Sequence, residues 1–150
     1  ETSMRRFVGG LTAEAPDPSA MFSPNAGRGF VESLAEVDEL PGWLSEAELA
    51  HYAAEFTRTG FTGCLNWYRN INQLPGCLAP WAGDACQQPS LYVGGSADMI
   101  AGNTAEAITG MQAALGDLRG CHLLEGAGHW IQQERVAETN AALLSFLADL

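Results

Sequence analysis

The feature of this sequence that most constrains its fold is a short apolar run, Cys121 to Leu124, followed by a turn of small residues, His129 and an amphipathic segment that reaches Leu150. This order predicts a strand, a turn and a helix, with the histidine on the turn at the carboxyl end of the strand. Ligands of open α/β sheets bind beyond the carboxyl ends of the strands. A histidine there is well placed to act as a general base, although it could instead only cap a neighbouring helix or carbonyl.

A second unit of the same kind precedes this one. Pro89 to Gly95 is an apolar run between helix breakers, which predicts a strand covered on both faces. Asn103 or Thr104 can then cap a helix. The positions expected on one face of that helix, and the residue expected to end it, are Ile108, Met111, Leu115 and Gly116. The stripe expected on the last helix is Val136, Asn140, Leu143, Leu144 and Leu147. The second half therefore indicates strand–helix–strand–helix, the pattern of a parallel sheet.

The first half of the chain indicates helices and irregular segments. The pattern predicts the tail of a helix over Thr2 to Leu11, a loop over Ala15 to Gly29 and a weak helix or turn over Val31 to Leu40. A short helix is expected over Cys64 to Ile71. The stretch from Gln73 to Gln88 loses helical periodicity and is expected to be a connection.

One helix of this half has clear signals at both ends. Ser45 and Glu48 have the spacing of a capping box, in which the serine side chain and the glutamate side chain satisfy each other's backbone amides. Gly60 is expected to end the same helix. Tyr52 and Phe56 fall at helical spacing between these ends, so we interpret them as packing residues and not as site residues.

Composition excludes several classes of function. The formal net charge is −11, whereas a nucleic-acid partner requires a basic surface. No apolar run is long enough to cross a bilayer and no signal peptide is visible, so no membrane association is expected. The cysteines lack metal-binding spacing, which predicts no metal and favours buried free thiols in a reducing compartment, the cytoplasm, over disulfides. They are Cys64, Cys77, Cys86 and Cys121.

Asp98 and His129 follow the ends of two successive predicted strands. Strands joined by a crossover helix are neighbours or near neighbours, which would bring the two side chains together. A carboxylate on one imidazole nitrogen fixes the tautomer, and the other nitrogen can then accept a proton. The alternatives are an Asp98 that only caps the following helix, or a role for Asp84 or Asp117. Asp84 precedes its strand and Asp117 lies at a helix end away from the carboxyl edge, so Asp98 is preferred.

Two motifs resemble those of a known family. The segment from Gly60 to Asn70, GFTGCLNWYRN, looks like the cap-domain signature of epoxide hydrolases. The segment from Gly128 to Glu134, GHWIQQE, looks like the histidine motif of the same family. An acid after one strand, then a second strand, then G-x-G-H, resembles the closing segment of an α/β-hydrolase. The resemblance covers roughly Pro41 to Leu150.

The resemblance implies roles for particular residues. Tyr68 matches a cap tyrosine that donates a hydrogen bond to the epoxide oxygen, Asp98 matches the orienting acid, and His129 matches the base that activates water. The reaction it implies opens an epoxide to a vicinal diol through an ester with a nucleophilic aspartate, and it needs no cofactor or metal. Their sequence neighbours are expected to contact the substrate: Trp67, Met99 and Trp130.

Other parts of the family pattern are not found in this sequence. There is no G-x-D/S-x-G nucleophile elbow after a strand and no His-Gly-x-Pro turn. We therefore expect the C-terminal fragment of an epoxide hydrolase with a partial α/β-hydrolase fold. Residues 1–85 would be the end of the helical cap with its connection, and residues 86–150 the end of the core. Its partners would be an epoxide, water and the missing N-terminal half, and the chain alone would be inactive.

Three alternatives stay open at this stage. A haloalkane or haloacetate dehalogenase uses tryptophan or other cap donors to hold a halide, and Trp67 is adjacent to Tyr68. A serine esterase differs in its nucleophile, so the residue at the missing elbow separates all three enzymes. A non-catalytic binding piece that retains part of the fold is the reading from a different class.

Overall fold

The computed structural model describes residues 1–15, 29–103 and 105–150. The loop expected from Ala15 to Gly29 lies almost wholly outside these ranges, as does Thr104. The helices are α1 (Thr2–Gly9), α2 (Phe30–Ser33), α3 (Glu46–Thr59), α4 (Thr62–Asn70), α5 (Leu74–Leu78), α6 (Ala105–Ala114), α7 (Ile131–Glu134) and α8 (Val136–Ala148). Turns of 3-10 helix cover Ile71–Gln73 and Ala79–Trp81, and the strands are β1 (Cys86–Gly95) and β2 (Leu115–Leu124).

The two strands lie side by side and run parallel, which confirms the strand–helix–strand–helix prediction for the second half. Leu91 lies opposite Gly120 and Gly95 opposite Leu124. Both strands begin earlier than predicted, because Cys86 pairs with Leu115 and so extends the ladder toward its amino end. Leu115 and Gly116 consequently belong to β2, and the prediction that they form the face and the end of helix α6 is wrong.

The two strands of this sheet are much less buried than expected. Within β1 only Gly94 and Gly95 are buried, so the prediction of a strand covered on both faces is wrong for this chain. The physical reason is the width of the sheet: two strands present too little surface to bury both faces. Helix α8 contacts both strands, yet most of its apolar side chains remain exposed, namely Val136, Leu143, Leu144 and Leu147.

A small apolar core lies among the N-terminal helices. Met4 and Val8 of α1 pack with Leu44 and with Leu49, the largest fully buried side chain of the described ranges. Partly buried side chains surround this cluster, among them Tyr52, Phe56 and Trp130. The interpretation of Tyr52 and Phe56 as packing residues is therefore confirmed. The weak helix expected from Val31 to Leu40 is only the single turn α2.

Both end signals of α3 are confirmed. The Ser45 hydroxyl accepts the Glu48 N–H at 3.3 Å, and a Glu48 carboxylate oxygen accepts the Ser45 N–H at 2.8 Å. Gly60 follows the helix with φ of +70°, a backbone conformation that residues other than glycine rarely adopt. Its N–H donates to the carbonyl of Phe56.

The first prediction concerns this cap. Ser45→Ala deletes the side-chain acceptor of an early amide of α3, and we expect the free energy of unfolding to fall by about 1 kcal/mol. Urea titration at pH 7 measures this loss, and an unchanged midpoint would show that the cap does not contribute. The bonds from the Ser45 hydroxyl and backbone amide hold the pKa of Glu48 below its ordinary value. The capping box therefore stabilises α3 at neutral pH, and its contribution disappears as the pH falls through that lowered pKa.

The segment from Thr62 to Trp81 differs most from expectation. Helix α4 is confirmed, but the predicted connection from Gln73 to Gln88 contains α5, the 3-10 turn Ala79–Trp81 and the start of β1. Every residue from Thr62 to Trp81 is exposed, including Trp67, Tyr68 and Trp81. The thiols are unpaired as expected, but the prediction that they are buried is wrong for Cys64, Cys77 and Cys86.

No helix in the described ranges combines the length and the hydropathy that crossing a membrane requires.

Candidate active site

Two side chains at the carboxyl ends of β1 and β2 contact each other directly. His129 Nδ1 lies 3.0 Å from one carboxylate oxygen of Asp98 and 3.2 Å from the other. The Asp98 side chain is 8% exposed and that of His129 is 33% exposed. With the ring proton on Nδ1 donated to Asp98, Nε2 is the nitrogen that can accept a proton. Nε2 makes no hydrogen bond to any residue that the structure describes.

The turn after β1 fixes the carboxylate. One oxygen of Asp98 accepts the N–H groups of Ile100 at 2.9 Å and Ala101 at 3.2 Å. These bonds shape the turn before α6, so Asp98 stabilises its own turn and also binds His129. The alternative acids Asp84 and Asp117 form no hydrogen bond or ion pair with His129; Asp117 accepts hydrogen bonds from Arg119 instead.

Asn103 also stabilises the turn that carries Asp98. Its amide N–H donates to the carbonyl of Gly95 at 2.8 Å, and its amide oxygen accepts the Tyr92 hydroxyl. Burial raises the pKa of Tyr92 above its ordinary value, against the opposing effect of the Asn103 bond. The phenol is therefore neutral and serves as a donor throughout the physiological pH range.

Contacts with the N-terminal segment (residues 8–13) hold the histidine loop (residues 125–130) in place. The backbone N–H of His129 donates to the carbonyl of Leu11 at 3.1 Å, and the indole N–H of Trp130 donates to the carbonyl of Val8 at 2.8 Å. The ring centroids of His129 and Trp130 lie 5.0 Å apart in a T-shaped arrangement. Sequence reasoning did not identify Val8 or Leu11, because no local pattern signals a contact between residues so far apart in the chain.

Sequence reasoning also missed the role of Glu134. Its carboxylate accepts the backbone N–H groups of Gly128 and Trp130, the residues on either side of His129, and that of Ala13. A helix-start motif could have suggested part of this arrangement, because an acidic side chain in the first turn often accepts nearby amides. Its bond to Ala13 had no sequence signal.

Two glycines allow the three segments of the site to meet. A side-chain carbon at Gly95 would overlap the carbonyl oxygens of Ala127 and Gly128. One at Gly128 would lie 2.6 Å from the carbonyl carbon of Thr12 and would overlap the nitrogen of Ala13. The acid-bearing strand, the histidine loop and the N-terminal segment are therefore in backbone contact here.

Tyr68 is not brought together with this pair. It is exposed on α4 and makes no hydrogen bond to any described residue. It lines an open groove of about 510 Å³, to which neither Asp98 nor His129 contributes. The lining residues are Thr59, Gly60, Gly63, Cys64, Trp67 and Tyr68.

The neighbours expected to contact substrate have different surroundings. Trp67 and Met99 are exposed, at 82% and 52%, whereas Trp130 is half-buried between His129 and the ring of Phe7. In the described part of the chain, no group of three histidine, cysteine or carboxylate side chains is arranged to hold a metal ion.

Comparison with known proteins identifies relatives. No protein-family model matches the chain. It is 44% identical over 154 aligned residues to "Epoxide hydrolase A" of Mycobacterium tuberculosis (strain ATCC 25618 / H37Rv), covering 99% of this chain and 46% of that protein.

Solved structures give the same relationship. The crystal structure of epoxide hydrolase A from Mycobacterium thermoresistibile is 46% identical with a TM-score of 0.81, covering 97% of this chain and 44% of that one. An epoxide hydrolase from an endophytic Streptomyces is 39% identical with a TM-score of 0.89, covering 98% of this chain and 45% of that one. The chain thus spans a little less than half the length of these relatives, and over that part it is similar to epoxide hydrolases in both sequence and fold, with a partial α/β-hydrolase fold.

Proposed function

We propose that this chain supplies the water-activating half of an active site that hydrolyses epoxides to vicinal diols. The observation that carries the proposal is the contact of 3.0 Å between His129 and Asp98 at the ends of adjacent parallel strands. The names of the relatives support the substrate class. In this proposal residues 1–85 belong to the helical cap and its connection, and residues 86–150 belong to the hydrolase core.

The proposed reaction has two steps. A nucleophilic aspartate, in a region that this chain does not contain, attacks an epoxide carbon; the C–O bond breaks, and an ester and an alkoxide form. The alkoxide takes up a proton from solvent. His129 Nε2 then takes a proton from water, and the hydroxide attacks the ester carbonyl. The ester C–O bond breaks to release the diol and the free carboxylate, and the imidazolium returns its proton to solvent. Asp98 orients the imidazole and stabilises the imidazolium while it carries that proton.

Tyr68 is proposed to donate a hydrogen bond to the epoxide oxygen as it becomes an alkoxide. The exposure of α4 is what a cap face directed toward another part of the whole protein would require. Trp67, Met99 and Trp130 are proposed substrate contacts because each is adjacent in sequence to one of the proposed site residues. We also propose a cytoplasmic location, which suits exposed, unpaired thiols.

The second prediction tests Tyr68. In the whole protein, Tyr68→Phe removes a donor to the developing oxyanion, and we expect the rate of ester formation to fall on the order of 100-fold. Single-turnover kinetics measures ester formation separately from ester hydrolysis, which should be little changed. Tyr52→Phe is the matched control, because Tyr52 packs against the N-terminal core. Equal rates for Tyr68→Phe and the wild type would remove Tyr68 from the site.

The proposed function itself is tested with three substrate classes. The whole protein is incubated with an epoxide, an alkyl halide and a carboxylic ester, and diol, halide and acid are measured. Diol formation alone supports the proposal. Halide release would indicate a dehalogenase, acid release a serine esterase, and no reaction in any arm a non-catalytic protein; each of these results would overturn it.

A further inference from the structure

We propose that Glu134 is a positioning residue, whose carboxylate sets the orientation of His129 toward Asp98 by binding the backbone on both sides of the histidine. The relevance to catalysis rests on the proposed function, but the orienting role is a property of this chain and can be tested without any substrate.

The two carboxylate oxygens of Glu134 accept hydrogen bonds from different backbone N–H groups. Oε2 accepts the N–H of Gly128 at 2.7 Å, and Oε1 accepts the N–H of Trp130 at 3.1 Å. Gly128 and Trp130 are the immediate neighbours of His129 in the chain. One carboxylate therefore fixes the peptide groups that precede and follow the histidine, and this determines the direction in which the imidazole leaves the backbone.

The same carboxylate joins this loop to a distant segment. Oε2 also accepts the N–H of Ala13 at 3.3 Å, across 121 residues of sequence. The carbonyl of Leu11, two residues earlier, accepts the His129 N–H. Glu134 thus lies where the histidine loop and the N-terminal segment meet, and it accepts hydrogen bonds from both.

The composition of the loop explains why such an anchor is needed. Gly126 and Gly128 have no side chain to pack, although Ala127 between them is fully buried, and glycine has more conformational freedom than any other residue. Hydrogen bonds to an ionised acceptor are roughly twice as strong as those between neutral groups. Charge-assisted bonds from Glu134 therefore restrain Gly128, which has no side chain to pack.

The third prediction follows. Glu134→Gln keeps the length of the side chain but replaces one acceptor oxygen with an N–H donor, which then opposes a backbone N–H. With the loop displaced, His129 Nδ1 loses its fixed partner. In the 150-residue chain labelled with nitrogen-15 histidine, long-range proton–nitrogen spectra of the neutral imidazole should show one tautomer for the wild type, with the proton on Nδ1. The Glu134→Gln chain should show a mixture of both tautomers.

Glu138→Gln is the matched control. Glu138 lies four residues later, in the first turn of α8; it is exposed, and its carboxylate lies 3.9 Å from the Arg135 guanidinium. It should keep the wild-type tautomer, and circular dichroism verifies that all three chains are folded. A folded Glu134→Gln chain with the wild-type tautomer would overturn the proposal, as would the same mixture of tautomers in the control.

A second measurement needs no variant. The Gly128 and Trp130 amides of the unmodified chain should exchange with solvent at least about tenfold more slowly than in an unstructured peptide. Exchange at the unstructured rate would overturn the proposal even if Glu134→Gln failed to fold. Altered tautomers together with no diol formation by the whole wild-type protein would instead refute the proposed function and leave the positioning role standing.

Discussion

Replacing His129 with glutamine in the whole protein is expected to stop turnover and to leave the substrate attached as an ester. Glutamine cannot take a proton from water, so the hydrolytic step loses its general base, at a cost on the order of 10³-fold in rate. Ester formation does not need that base in the proposed mechanism and should continue. Mass spectrometry of the intact protein after mixing with an epoxide should therefore show an added mass equal to that of the substrate.

His51→Gln is the control for this experiment. His51 lies on an exposed face of α3 and makes no hydrogen bond to any described residue, so its replacement should leave turnover unchanged and no adduct. Retained turnover in His129→Gln without an adduct would remove His129 from the role of base. Lost turnover without an adduct would place the histidine in the first chemical step, and the order of events proposed above would be wrong.

The Asp98–His129 contact was predictable because it depends only on local order and a general rule of topology. Each residue follows a short apolar run, and the carboxyl ends of neighbouring parallel strands share one edge of the sheet. The capping box of α3 was predictable for a similar reason, since Ser45 and Glu48 are three residues apart and both bonds form within one turn.

The predictions that proved wrong concern interactions beyond a single element. Leu115 lies in β2 because strand pairing with Cys86 outweighs its place in the helical pattern. Leu143 and Leu144 continue an apolar stripe that two strands are too narrow to cover. A hydrophobic pattern indicates which side chains require burial, but it does not specify what will bury them.

The supports of the site were unpredictable for a further reason. Ala13 meets Glu134 across 121 residues, and it contributes only its backbone N–H, a group that every residue except proline has. A carbonyl such as that of Leu11 or Val8 is present at every position of a chain, so sequence reasoning has nothing with which to select it. The side chains that perform chemistry were identified for the opposite reason: few residue types can do that work.

Gly128→Ala is expected to have the largest effect on stability of the changes considered. The new methyl carbon would overlap the Ala13 nitrogen and lie 2.6 Å from the carbonyl carbon of Thr12, and both are backbone atoms that cannot rotate away. It would also approach the Glu134 carboxylate at 2.9 Å. Relief requires the histidine loop and the N-terminal segment to separate, and we expect the free energy of unfolding to fall by roughly 3 kcal/mol.

Chemical denaturation measures this loss, and Gly110→Ala provides its control. Gly110 lies inside α6 with nothing within 4 Å of the added carbon, so alanine there should stabilise the helix by up to about 1 kcal/mol. Because the separation also breaks the bond from His129 to Leu11, the His129 ring resonances of Gly128→Ala should shift even in the folded fraction. A Gly128→Ala chain as stable as the wild type, with unshifted resonances, would show that the N-terminal segment does not pack on the histidine loop, and the support attributed to Glu134 would lose its second attachment.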